Sequence, residues 1–149
     1  YQVYAGKSGR IYPTSSNSTV LVIIHNDMTV TFTCATTVTV QVNLAIELAV
    51  ARTGTTVQVP VGVQAKIDGL AMYPNVAGTS YLSGYVAQPE VGSVGNYAKL
   101  ESWVFAWERT VAAGTHTVRF YWAVQTAASG TRVWGDFYSI SVLASRVNP

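Results

Sequence analysis

Between Gly114 and Val124 the chain alternates without a break. His116, Val118, Phe120, Trp122 and Val124 share one parity; Thr117, Arg119, Tyr121 and Ala123 share the other. Successive side chains leave opposite faces of an extended chain, so a period of two over this length predicts a strand. Two large aromatics on the even face mark it as a central core strand around which the rest packs.

The same period recurs. Val30, Phe32, Cys34, Val38, Val40, Val42, Leu44, Ile46, Leu48 and Val50 hold even positions against Thr29, Thr31, Thr33, Thr37, Thr39, Gln41, Asn43 and Glu47. Single strands seldom exceed about ten residues, so the reading is two strands, 28–34 and 38–51, broken at Ala35-Thr-Thr37. Val57 to Ile67 alternates again. Pro60 removes a ladder donor and predicts an edge or bulged strand there, and Asp68-Gly69 reads as the closing turn. Val20 to Ile24 reads as a short buried strand ending in a turn at His25-Asn-Asp27. Lys99 to Arg109 places Trp103, Phe105 and Trp107 on one face, and Val133 to Leu143 places Tyr138, Ile140 and Val142 inward. Residues 70–98 are rich in Gly, Pro, Ser and Asn; they read as surface loops with one weak strand at Tyr81 to Ala87. No segment carries a helical period of ten residues. Strands joined by turns without helical crossovers predict an all-β fold, an antiparallel β-sandwich or barrel.

A chain of 149 residues makes one domain, here residues 20–149 preceded by residues 1–19. That first stretch, with Gly6, Gly9, Pro13 and a polar run from Thr14 to Thr19, reads as an arm or an early edge strand. As an arm it would grip a neighbouring subunit through Tyr1, Val3, Tyr4, Ile11 and Tyr12. Starting at Tyr1 rather than Met fits a fragment or a processed form. Asn17-Ser-Thr19 fits a glycosylation sequon, a pattern of little information.

Only 11% of residues are charged, against roughly 25% in ordinary soluble domains. Nine Lys or Arg face seven Asp or Glu, a net charge of +2, and no cationic cluster suggests a nucleic-acid footprint. No apolar run reaches the length of a membrane-spanning helix. So few charges fit either a surface of Thr, Ser, Gln and Asn, which the many threonines favour, or surface hidden in an assembly, which the mean hydropathy of +0.25 favours.

Candidates for chemistry are few. Cys34 sits at core parity and reads as a small buried hydrophobe, not a thiolate nucleophile. His25 and His116 form no metal spacing, and no cofactor or metal site is expected. A glycosidase needs two facing carboxylates, whereas Glu101 and Glu108 fall on opposite faces of one strand. Four Trp and nine Tyr suit a core or an oligomer interface first, and a sugar platform second. Tyr73, Tyr81, Tyr85 and Tyr97, in the loop-rich stretch, are the candidates for surface recognition.

Ala113-Gly-Thr-His-Thr-Val-Arg-Phe-Tyr-Trp122, then a Gly turn and Phe137-Tyr-Ser-Ile-Ser-Val-Leu143, resembles the C-terminal half of bacterial and phage jelly-roll domains of the tumour-necrosis-factor and complement-head type. Thr29-Val-Thr-Phe-Thr33 and Lys66-Ile-Asp-Gly69 resemble their early strands. Residues 1–19 and 70–98 depart from that pattern. The resemblance implies a jelly-roll-like homotrimer without enzymatic activity. It points to a virion component on the capsid exterior, foremost a decoration protein partnered by the major capsid protein. A tail-fibre receptor-binding domain, or a secreted carbohydrate-binding module with a glycan partner, is the alternative.

Overall fold

The computed structural model describes residues 2–12, 14–51, 60–75, 85–87, 100–124 and 131–147. They form eleven strands: β1 (Gln2–Arg10), β2 (Ser15–Ser16), β3 (Val22–Ile23), β4 (Thr29–Cys34), β5 (Val38–Ala51), β6 (Val61–Ile67), β7 (Leu70–Ala71), β8 (Tyr85–Ala87), β9 (Glu101–Val111), β10 (Gly114–Val124) and β11 (Arg132–Arg146). No helix occurs among the described residues. One antiparallel sheet runs β1-β11-β5-β9, with β2 also on β11. The other runs β3-β10-β6-β7, with β4 on β10 and β8 on β6. The inner faces pack together, which makes the chain an antiparallel β-sandwich.

The parity readings locate the core. Val40, Val42, Leu44, Ile46 and Leu48 of β5 meet Val118, Phe120 and Trp122 of β10 and Phe105 and Trp107 of β9, all nearly inaccessible to water. β10 is central: it pairs with β4 from Gly114↔Cys34 to Arg119↔Thr29 and with β6 from Val118↔Ile67 to Val124↔Val61. The break at residues 35–37 is real. There the chain leaves β4 in one sheet and enters β5 in the other. Residues 112–113 do the same between β9 and β10, so the two arches lie side by side at one end of the sandwich.

Three expectations are corrected. Ile11, expected to serve a neighbour, is 3% exposed in the chain's own core. β1 pairs with β11 from Gln2↔Ala144 to Arg10↔Phe137, so the N-terminal stretch is an edge strand of the sheet rather than a free arm. Val20, expected in a buried strand, is 65% exposed; β3 is two residues long, and of that apolar run only Ile24 is buried, with Val22 half-buried against the core. β6 is not at an edge, because β10 holds one side and β7 and β8 hold the other; Pro60 precedes the strand and costs no ladder bond. Residues 57–59 of the expected strand lie outside the described residues.

Within 70–98, residues 70–73 do more than loop. Ile67↔Leu70 closes a hairpin through Asp68 and Gly69, at φ +51° and +79°. Both values are the left-handed pair that an Asp-Gly turn supplies at low cost. Met72 is fully buried. The Tyr73 amide donates to the Glu108 carbonyl at 2.9 Å, and the Glu108 amide donates back at 2.7 Å. This short strap closes the open side of the sandwich between β6 and β9. It also buries Gln64, whose amide nitrogen donates to the Ala65 carbonyl at 2.7 Å and the Met72 carbonyl at 2.9 Å.

Candidate functional site

At the mouth of β10 the side chain of His116 reaches both a turn and an arch. Its Nδ1 lies 2.7 Å from Asp68 Oδ2 and its Nε2 lies 2.9 Å from the Ala112 carbonyl oxygen. Both partners are acceptors, so both ring nitrogens must carry hydrogen, and the imidazole is charged when both bonds are made. The Asp68 hydrogen bond raises the His116 pKa above its ordinary value; burial opposes this, and the Ala112 carbonyl and the Asp68 charge reinforce it. Burial pushes Asp68 up, but the bonds from His116 and from the Thr117 amide, together with the His116 charge, leave it below the usual carboxylate value. The Thr117 N–H donates to Asp68 Oδ1 at 2.9 Å. The second lone pair of the Ala112 carbonyl takes the Cys34 Sγ–H at 3.2 Å. Turn, arch and strand are thus tied at one point, and the histidine has a holding role. Cys34 is buried as the sequence predicts.

Beside this tie the outer face of the second sheet is hollowed. Lys66, Asp68, Gly69, Thr117, Arg119 and Tyr121 line a groove of about 270 Å³. Lys66 and Arg119 are directly opposite one another on β6 and β10. The Lys66 ammonium sits 4.5 Å from the centre of the Tyr121 ring. Next to the cations, Thr31 and Thr117 pair through their hydroxyls at 3.3 Å, as do Thr33 and Thr115 at 2.9 Å.

The outer face of the first sheet differs. Val104, Ala45, Ser139 and Ser8 form one cross-strand row, and Ala106, Asn43, Ser141 and Gly6 the next. Neither row carries a charge, and Val104 is 74% exposed. At one margin Arg10 grips the buried carboxylate of Asp136 with two bonds, Nε–Oδ1 at 2.7 Å and Nη2–Oδ2 at 3.2 Å. Its guanidinium lies over the Tyr12 and Phe137 rings at 5.7 and 5.1 Å.

The residues predicted from sequence scatter over this surface. Tyr12 is exposed beside Trp134, their ring centres 6.4 Å apart, while Ile11 is internal. Val3 and Tyr4 lie on β1, and Tyr85 lies opposite Val63 on β8. Tyr73 is the most exposed large hydrophobic side chain among the described residues, on the strap. Tyr1, Tyr81 and Tyr97 lie outside the described residues. Sequence reading missed Lys66, Arg119 and Tyr121 as a group. Their outward parity was legible, but their adjacency depends on β6 pairing with β10. Among the described residues no three His, Cys, Asp or Glu side chains gather as a metal site. No protein-family model matches the chain, and no curated protein matches it either.

Proposed function

We propose that this chain is a non-enzymatic structural protein that works by assembly. It would act as a homotrimeric capsid decoration protein on the outside of a phage virion, binding the major capsid protein. The observation that carries this reading is the outer face of the first sheet. Two adjacent rows across four strands, Val104-Ala45-Ser139-Ser8 and Ala106-Asn43-Ser141-Gly6, carry short or small side chains and no charge. Such a face is flat and cheap to desolvate, and it suits broad contact with another surface. The low charge content of the whole chain points the same way. A protein that binds only the assembled shell raises the shell's stability by mass action, and closed symmetry lets three copies share one patch.

Sedimentation of the full chain tests the oligomer, and mass spectrometry of particles containing it tests the location. A trimer that Ala45→Lys converts to folded monomer is the expected result. A monomeric wild-type protein rejects the trimer, and its absence from any virion rejects the decoration role.

A further inference from the structure

The groove on the other sheet has a charge arrangement that the fold itself does not need. Lys66 and Arg119 stand directly opposite one another across antiparallel strands, and like charges so placed destabilise a sheet. Neither has a carboxylate partner among the described residues. The nearest carboxylate in the groove, Asp68, has both oxygens engaged, one by His116 Nδ1 at 2.7 Å and one by the Thr117 amide at 2.9 Å. The Tyr121 ring fixes the Lys66 ammonium from below through a cation–π contact, which leaves its remaining N–H donors free to turn into the groove. Arg119 is exposed, with a planar fork of donors. Two cations are therefore held side by side, and among the described residues no carboxylate is free to neutralise them.

We infer that this groove binds an acidic saccharide, with the sugar carboxylate held between Arg119 and Lys66 and the sugar hydroxyls on the threonine ledge. A guanidinium matches a carboxylate with two parallel hydrogen bonds. Thr117 and Thr31, and beyond them Thr115 and Thr33, offer hydroxyls that both donate and accept, as sugar hydroxyls do. The charge on Asp68, which lines the same groove, opposes a second negative charge on the ligand and so favours a carboxylate over a phosphate dianion. Gly69 leaves one rim open: nothing lies within 4 Å of where a side chain would begin. The site lies on the opposite outer face of the sandwich from the surface proposed for assembly. A saccharide titration and a sedimentation run therefore test the two readings separately.

The test is an amide chemical-shift titration of the full chain with a trisaccharide of galacturonic acid. A neutral trisaccharide and inorganic phosphate serve as the other two arms. Saturable shifts confined to residues 66–69 and 115–121 with the acidic sugar are expected. Arg119→Gln and Lys66→Gln should each weaken binding about tenfold, the scale of one charge-assisted hydrogen bond. Arg119→Gln should melt no lower than wild type, since it relieves a like-charge contact and leaves the Lys66–Tyr121 contact in place. Equal binding of the neutral sugar, no saturable shift, or affinity unchanged by Arg119→Gln overturns the proposal. Tighter binding of inorganic phosphate than of the acidic sugar also overturns it.

Discussion

His116 and Asp68, 48 positions apart in sequence, meet at 2.7 Å, and the contact joins the β6–β7 turn to the mouth of the central strand. Asp68 holds a left-handed backbone conformation, φ +51°, that a turn needs and that a short polar side chain tolerates. Its carboxylate then points at β10, where it takes one bond from the backbone and one from the imidazole. The same imidazole reaches over to the β9–β10 arch.

This pair makes stability depend on pH. Folding raises the His116 pKa above 6.5, so its contribution is complete below 6.5 and is lost as pH rises through the higher folded value. Folding lowers the Asp68 pKa below 3.8, so its contribution is complete above 3.8 and is lost as pH falls through the lower folded value. The tie is therefore strongest between those two ordinary values. Thermal melting of wild type and His116→Gln should show the largest gap in that window, with the gap closing as pH rises through the raised imidazole value. A gap that is constant from pH 5 upward would show that His116 acts only by packing against Phe32, whose ring centre lies 5.6 Å from that of the imidazole.

Trp122 lies at the centre of the core, 1% exposed. Trp122→Ala should cost about 3–5 kcal/mol, the usual range for a buried aromatic. Urea unfolding measures it. A loss below about 1 kcal/mol, the level of ordinary surface substitutions, would mean that the even face of β10 is not the core face.

How much could be read in advance differs from strand to strand. On β4 and β5 one face is apolar throughout, and on β9 and β10 it is broken only toward the strand ends, by Glu101 and Arg109 and by His116, so the period of two alone gave the faces. β11 is different. Between Gly135↔Leu48 and Tyr138↔Ile46 the strand holds one extra residue, so odd residues face inward before the bulge and even residues after it. A bulge has no fixed sequence signature, and Asp136, 3% exposed within it, looks in sequence like any surface acid. Its partner Arg10 is 126 residues away, which is also why the N-terminal stretch read equally as arm or edge strand. The Lys66–Arg119 pair was hidden for the same reason: register between distant strands is a tertiary fact. The uncharged outer face of the first sheet was legible only as a shortage of charge, without a position.

The bulge gives its own prediction. A side chain at Gly135 would begin 2.9 Å from Ile11 Cδ1 and 3.2 Å from the Trp122 ring, so a Cβ fits there only if the Ile11 methyl and the Trp122 ring give way. Gly135→Ala should lower stability by about 1–3 kcal/mol through overpacking. The Ile11→Val/Gly135→Ala double variant should recover part of that, because it removes the methyl in the way. No recovery in chemical unfolding would place the strain on Trp122 instead.

The last prediction separates an edge strand from an arm. Deleting residues 1–11 removes β1 from the edge of its sheet and takes away three things at once. The paired edge of β11 becomes an exposed one, open to pairing with other chains. The Asp136 carboxylate, 5% exposed, loses the guanidinium that gives it two hydrogen bonds, and a buried charge left without its partner is strongly destabilising. The space filled by Ile11 empties, which alone is worth about 2–5 kcal/mol at a buried site. The truncated chain should therefore unfold at a markedly lower urea concentration than the full chain and aggregate more readily, as light scattering would show. An arm that served only a neighbour would leave the unfolding midpoint of the isolated chain where it was, and that result would refute the edge-strand assignment. Arg10→Ala in the full chain narrows the cause, because it keeps β1 and Ile11 and removes the partner of Asp136, together with the guanidinium's contacts to Tyr12 and Phe137. It should shift the midpoint in the same direction by a smaller amount.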